Sequence, residues 1–307
     1  MTDTLPPGTL IKCGSVILRI SKNQHQLPPC QDTTLNFDFM DRYVFELPRE
    51  LDWVEVQQWS QIPRQQITQQ HTILEAAYKC IPKGWEDVFE SAFPELCQID
   101  ELLSDESGDT FYPLKKDLFR AFHLVEPQNV RVVIVGQDPY HNTQSDCADP
   151  RAQGLSFSVH REDNIPPSLR NIFKELLDSI NGFSIPSHGD LSEWCQQGVL
   201  LLNRCLTVKP GQPGSHGDMW MPLISRILTR LNANPHKIVY LLLGAEAKKI
   251  ETELGDKGII IHAPHPSGAN FNGGFLGSKA FKQVNNALIR YQQQPIDWRL
   301  SEILPNQ

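Results

Sequence analysis

The sequence predicts an α/β fold: a central four-stranded parallel sheet flanked by helices on both faces, plus an N-terminal extension. Three observations predict it. Four short runs rich in Val, Ile and Leu, at residues 130–136, 199–203, 238–244 and 259–262, each close on a glycine or a polar residue. These runs lack polar–apolar alternation, as do strands buried on both faces. Stretches with apolar residues at helical spacing separate them, and strands that alternate with helices build parallel sheets covered on both sides.

Taken in order, residues 1–83 carry scattered Pro, many Gln and short apolar pieces at 17–20 and 54–59, with no motif. A strand over 11–20 and a helix over 73–81 are expected there. The aromatics Phe37, Phe39, Tyr43, Phe45, Trp53 and Trp59 argue for partial folding over complete disorder. Residues 85–109 hold nine acidic residues and no basic one, interrupted by Phe89, Phe93 and Leu96. They read as one acidic helix with a solvated face, leading into a loop at 104–108. Past Pro113, Leu114, Leu118, Ala121 and Phe122 follow helical spacing and deliver the chain to the first strand of the sheet.

Residues 154–159 read as a short extended piece. Pro166 and Pro167 then precede Leu169, Ile172, Phe173, Leu176, Leu177 and Ile180, a helical ladder with prolines where a helix accepts them. Ile224, Ile227, Leu228 and Leu231 mark the next helix, with Pro222 near its start. A last helix is expected over 278–291.

Composition narrows the function classes. A chain of 307 residues with 40% hydrophobic content can bury a substantial core. No run approaches the roughly 18 apolar residues of a membrane span, and residues 1–7 lack a secretory pattern. Seven cysteines without a C-x-x-C pair argue against a disulfide framework and a zinc site, so the expected setting is intracellular, nucleus or cytoplasm, with no metal. A formal net charge of −8 gives no global support to nucleic-acid binding, so any DNA contact must be local.

Parallel strands put their carboxyl ends on one side, where open α/β sheets bind ligands. The loops at 137–141, 203–209, 244–249 and 262–268 should therefore converge on one rim. It offers one carboxylate (Asp138), an imidazole (His265, with His141 and His262 nearby), one carboxamide (Asn203) and two rings (Tyr140 and Phe157). Pro139 stiffens the chain between Asp138 and Tyr140. His141 and His262 read as structural, each satisfying a buried backbone group. There is no nucleophile elbow, no P-loop and no G-x-G-x-x-G after the first strand, which argues against phosphoryl transfer to a nucleotide cofactor. An amide beside a stacked ring can read the hydrogen-bonding edge of a nucleobase, because Asn donates and accepts at once. A carboxylate opposite an imidazole suits cleavage of a glycosidic bond: the first offsets oxocarbenium charge on the sugar, the second stabilises charge on the departing base.

Gly-Gln-Asp-Pro-Tyr-His at 136–141 and His-Pro-Ser at 265–267 resemble the two signature loops of the family 1 uracil-DNA glycosylases. Tyr112-Pro113, Phe119-Arg120-Ala121, the segment 154–159, Pro166 to Leu169, Leu200 to Asn203, Leu206 to Val208, Ser215-His216, Gly274-Phe275 and Pro295 to Trp298 match in the same order. The resemblance covers about 85–298, so residues 84–307 are expected to form the catalytic domain and residues 1–83 an extension of unknown role.

The resemblance implies that Asp138 activates water and stabilises the cationic sugar while His265 donates to uracil O2. It implies that Asn203 reads the uracil edge, Phe157 stacks on it, Tyr140 fills the space of a thymine methyl and Gln137 supplies backbone contacts. Pro166, Pro167, Ser168, Gly244 and Ser267 would contact DNA phosphates, with no cofactor. The implied partner is uracil-containing DNA, with free uracil as product. The alternative reading is a DNA-binding scaffold in a replication complex, whose residues 1–83 recruit a repair or replication protein.

Departures from the family pattern stand out in three loops. Gly268 and Ala269 occupy the places of the usual Pro and the Leu wedge, and Phe271 is the expected substitute. Gly273 stands where a basic residue is frequent. Gly244-Ala245-Glu246 replaces Gly-Ser, losing a hydroxyl and adding an acid, and the 141–157 loop is long, with Asp146, Cys147 and Asp149 in the excess. Weaker grip on duplex DNA, single-strand preference and strong salt dependence are expected.

Overall fold

A computed structural model describes residues 10–13, 16–20, 54–58, 61–104, 111–142, 149–255, 258–267 and 274–302. The chain divides into two compact units, residues 1–62 and 63–307. In the first, strands β1 (Leu10–Cys13), β2 (Val16–Ile20) and β3 (Val54–Gln58) form an antiparallel sheet in the order β1-β2-β3. The single strand expected over 11–20 is thus a hairpin. The aromatics at 37, 39, 43, 45, 53 and 59 lie outside the described residues.

The second unit begins at Pro63, ahead of the boundary expected at 83/84. Arg64 pairs with Asp117 at 2.5 Å, and Gln69 Oε1 accepts from Lys115 N at 2.7 Å. These long-range bonds tie residues 63–72 into the larger unit, and no local pattern announces them. Helix α1 (Ile73–Tyr78) starts with a capping box made by Thr72 and Glu75, which satisfies two otherwise unpaired backbone donors.

The acidic stretch forms two helices, α2 (Glu86–Ser91) and α3 (Phe93–Ser104), broken at Ala92 with Pro94 in the first turn of the second. Its acids are only partly a solvated face. Asp100 Oδ1 accepts from Ile73 N at 2.6 Å, Glu95 pairs with Arg226 at 2.5 Å and Asp87 with Arg230 at 3.4 Å. The helix expected after Pro113 is a 3-10 turn at Lys115–Asp117 followed by short α4 (Arg120–Leu124).

The larger sheet contains β4 (Val132–Gly136), β5 (Val199–Asn203), β6 (Val239–Leu243) and β7 (Ile259–Ala263), all parallel, in the order β5-β4-β6-β7. Every residue of β4, β5 and β6 is buried, while β7 is buried only at Ile261 and Ala263. Between the strands run α5 (Pro167–Ser179), α6 (Ser192–Cys195), α7 (Met221–Asn232) and α8 (Ala245–Lys248); α9 (Ala280–Arg290) follows.

Pro167 opens α5, and Leu169, Ile172, Phe173 and Leu176 pack at 0–1% exposure. Burial of such side chains stabilises by about 1.5–3 kcal/mol each, so this face holds the helix firmly. Trp194 and Trp298 meet edge to face at 5.1 Å, with Trp194 Nε1 donating to Trp298 O. The segment at 154–159 is a series of turns and not an extended piece, because Phe157 takes a left-handed backbone (φ 62). No described helix is long and apolar enough to cross a membrane.

Candidate active site

The register of the parallel sheet builds the site. Gly136 lies opposite Asn203 at the carboxyl ends of β4 and β5. Arg204 N donates to Gly136 O and Cys205 N to Gln137 O, both at 3.0 Å, so the pairing continues into both loops. A Cβ on residue 136 would sit 2.6 Å from Asn203 Oδ1 and 3.2 Å from Phe157 Cε2. Glycine is required there because the side chains of Asn203 and Phe157 fill the space a side chain would take.

A cavity of about 240 Å³ opens at this rim. Gln137, Asp138, Tyr140, His141, Phe157, Ser168, Asn203, His265 and Ser267 line it, with Pro139, residues 152–155 and Pro213 completing the wall. It is smaller than the roughly 300–1,000 Å³ of drug-sized sites, which suits one small ring. Asn203 is 6% exposed, and its carboxamide bonds to none of the described residues. A buried amide in that state keeps its two donors and its acceptor for a ligand.

Asp138 is held from one side. Its Oδ2 accepts from Gly214 N at 2.7 Å and from Gln137 Nε2 at 3.0 Å, while Oδ1 bonds to no described residue. His265 Nδ1 accepts from Ser267 N at 3.1 Å. That bond assigns the proton of the neutral ring to Nε2, making it a donor. Burial holds the His265 pKa below its usual 6.5, so the ring is neutral near pH 7. Its centroid lies 5.9 Å from that of Phe157. Tyr140 donates its hydroxyl to Phe157 O at 3.0 Å, and burial pushes its pKa upward. This bond braces the left-handed backbone that swings the Phe157 ring into the cavity.

Behind Phe157, Gln153 Nε2 donates to Ser158 Oγ and Val159 O at 2.6 Å each, while Arg120 donates to Gln153 Oε1. Arg151 pairs with the buried Asp163 at 2.9 Å.

The structure thus brings Gln137, Asp138, Tyr140, Phe157, Ser168, Asn203, His265 and Ser267 together. Pro166 and Pro167 stand at the start of α5, next to the rim but not in the cavity wall. Gly244, with φ 96, lies against His265: a Cβ there would come within 2.8 Å of the His265 Cβ. It lines a neighbouring cleft of about 400 Å³ with Lys248 and His262.

Gly268, Ala269, Phe271 and Gly273 lie outside the described residues, as do Asp146 and Cys147. Asp149 is described and pairs with Lys116 at 2.5 Å. His141 and His262 do not behave as expected. His141 lines the cavity with an Nδ1 bonded to no described residue, and His262 is an exposed ring 3.5 Å from Glu251. Glu246 is no free acid beside the rim, because Arg204 (2.9 Å) and Lys249 (2.8 Å) neutralise it. The residue that reading by sequence passed over is Gly214, whose N–H orients Asp138; its signal was the turn-rich run 210–217. No group of three or more His, Cys, Asp or Glu among the described residues is arranged to hold a metal ion.

Comparison with known proteins places this geometry. The Uracil DNA glycosylase superfamily matches residues 122–289. A uracil-DNA glycosylase of Yersinia pseudotuberculosis is 46% identical over 198 residues, covering 63% of this chain and 83% of that protein; one from Yersinia pestis is 45% identical over the same share. Among solved structures, the mimivirus uracil-DNA glycosylase aligns at TM-score 0.65 and 28% identity, covering 71% of this chain and 86% of its own. A variant of it in complex with UGI aligns at 0.66 and 27%, covering 72% and 89%. With the two signature loops at one cavity and the family matched across the sheet that carries them, this chain belongs to the uracil-DNA glycosylase superfamily.

Proposed function

We propose that this chain takes uracil flipped out of DNA and hydrolyses its N-glycosidic bond, leaving an abasic site and free uracil. The observation that carries the reading is the Asn203 carboxamide, buried, bonded to none of the described residues and beside the Phe157 ring in a cavity sized for one base. The mechanism follows from the groups around it. Asn203 donates to and accepts from the uracil edge, Phe157 stacks on the ring, and Tyr140 occupies the space a 5-methyl group needs. Asp138 offers Oδ1 to the sugar side, where it activates water and offsets oxocarbenium charge. His265 donates from Nε2 to the uracil O2 as negative charge gathers on the leaving base. A neutral donor serves because a dry, preorganised site strengthens each such bond.

A base inside a duplex must leave the stack first, which costs a few kcal/mol and less in single strands. Pro166, Pro167, Ser168, Gly244 and Ser267 contact the backbone, with Gly268, Ala269 and Phe271 toward the duplex. Ala269 is too small to replace an extruded base, which favours single-stranded substrate; Phe271 takes the wedge role. Few cations serve this grip on a chain of net charge −8, so it is weak to begin with, and added salt weakens it further through the phosphate contacts it does make. Residues 1–83 lie outside the matched region and would recruit a repair or replication protein.

Turnover of matched single-stranded and duplex uracil oligonucleotides tests the reading, with Asp138→Asn as control. Release of uracil by the native chain and loss by about 10²-fold or more in the variant are expected. Absence of release from either strand form refutes excision, and equal rates on both refute the strand preference.

A further inference from the structure

Helix α5 grips the second signature loop on both sides. Asn171 Nδ2 donates to Pro266 O at 2.9 Å, one residue past His265. One turn further along, Glu175 accepts from Gly277 N at 2.6 Å and from Lys279 N at 2.7 Å, where the chain enters α9. Asn171 is 7% exposed and Glu175 is 0% exposed. At the start of the same helix, Ser168 lines the cavity.

A carboxylate taken fully out of water is costly unless hydrogen bonds compensate it. Here the compensation comes from backbone N–H groups flanking the loop, with Ser179 beside them, and from no cation among the described residues. Such bonds fix the chain that supplies them. They hold the far flank as Asn171 holds the near one, and the apolar face of α5 anchors the helix beneath both.

We propose that Asn171 and Glu175 are positioning residues for glycosidic cleavage: they tie Pro266, Gly277 and Lys279 to α5, so that His265 keeps its Nε2 donor over the cavity. The inference rests on the uracil-excision reading. It goes beyond that reading in making a buried helix face, which touches no substrate, set the geometry of the leaving-group donor. Displacing a reacting group by about 1 Å can cost around 10²-fold in rate, and loss of a residue that orients a functional imidazole typically costs 10–100-fold.

The test compares Asn171→Leu, which keeps the branch at Cγ and removes the donor, with Glu175→Gln, which leaves one of the two N–H groups without an acceptor. Steady-state kinetics on a single-stranded uracil oligonucleotide are read well below each thermal midpoint, beside the ¹⁵N shifts of the His265 ring. The expected result is a fall in kcat of about tenfold or more with KM within twofold, accompanied by a moved Nε2 resonance. A kcat within twofold of native in the folded variants, or a change in KM alone, overturns the proposal. If Asn171→Leu does not fold, Glu175→Gln decides on the same criteria. If the native chain releases no uracil, the excision reading has failed, and an unmoved Nε2 resonance in the variants overturns the clamp independently.

Discussion

Replacing Gly136 by Ala tests whether the cavity is as tightly built as its register implies. Residue 136 has an ordinary negative φ, so the new methyl introduces no backbone strain; it collides instead with Asn203 and Phe157, the groups proposed to read and stack the base. The Cβ would stand 2.6 Å from Asn203 Oδ1, against 3.4 Å for the start of ordinary contact, so the carboxamide must retreat by about 0.8 Å. The Phe157 ring, at 3.2 Å, must also give way by a few tenths of an ångström. A misplacement near 1 Å costs around 10²-fold, or about 2.7 kcal/mol of transition-state stabilisation. The extra methyl in a packed site costs about 1–3 kcal/mol of stability, which lowers Tm by several degrees and leaves the chain folded at 25 °C. The assay is kcat/KM on a single-stranded uracil oligonucleotide, with Tm measured on the same preparation. A Gly136→Ala variant that folds and retains kcat/KM within threefold of native refutes the reasoning, since Asn203 would then tolerate displacement.

Three further outcomes are expected. Burial lowers the His265 pKa below 6.5, so excision should show no loss from this group as pH rises above 6.5 and should fall only on the acid side; an imidazole NMR titration with a midpoint above 6.5 contradicts this. His123 is held near pKa 4 by burial, with Arg64 adding repulsion, so the unfolded chain takes up the proton first. Stability should therefore decline as pH drops from 6.5 toward 4, and His123→Gln should flatten that slope in Tm measured across the window; an unchanged slope rules the linkage out. Phe271→Ala should lower the duplex rate several-fold more than the single-strand rate, and equal effects on the two substrates end the case for Phe271 as the wedge.

Sequence alone determined the layered α/β plan and the polar ends of the four strands. Strand burial and helix amphipathicity are written at periods of a few residues: the run ending at Gly136 and the ladder from Leu169 to Leu176 each declare themselves. Signature motifs likewise named Asp138, Asn203 and His265, because those residues sit beside strand ends that local pattern already locates. What such a pattern does not encode is partnership across long stretches of chain. Gly214 N meets Asp138 across 76 residues and Asn171 meets Pro266 across 95.

Only the tertiary structure decided the strand order β5-β4-β6-β7, the turn that carries Phe157, and the start of the larger unit at Pro63. The fate of Glu246 shows why. Judged by its neighbours in sequence it is an acid beside a phosphate site, yet Arg204 reaches it from just past β5 and, with Lys249, neutralises it. Electrostatics depend on distance through space, and the fold sets that distance.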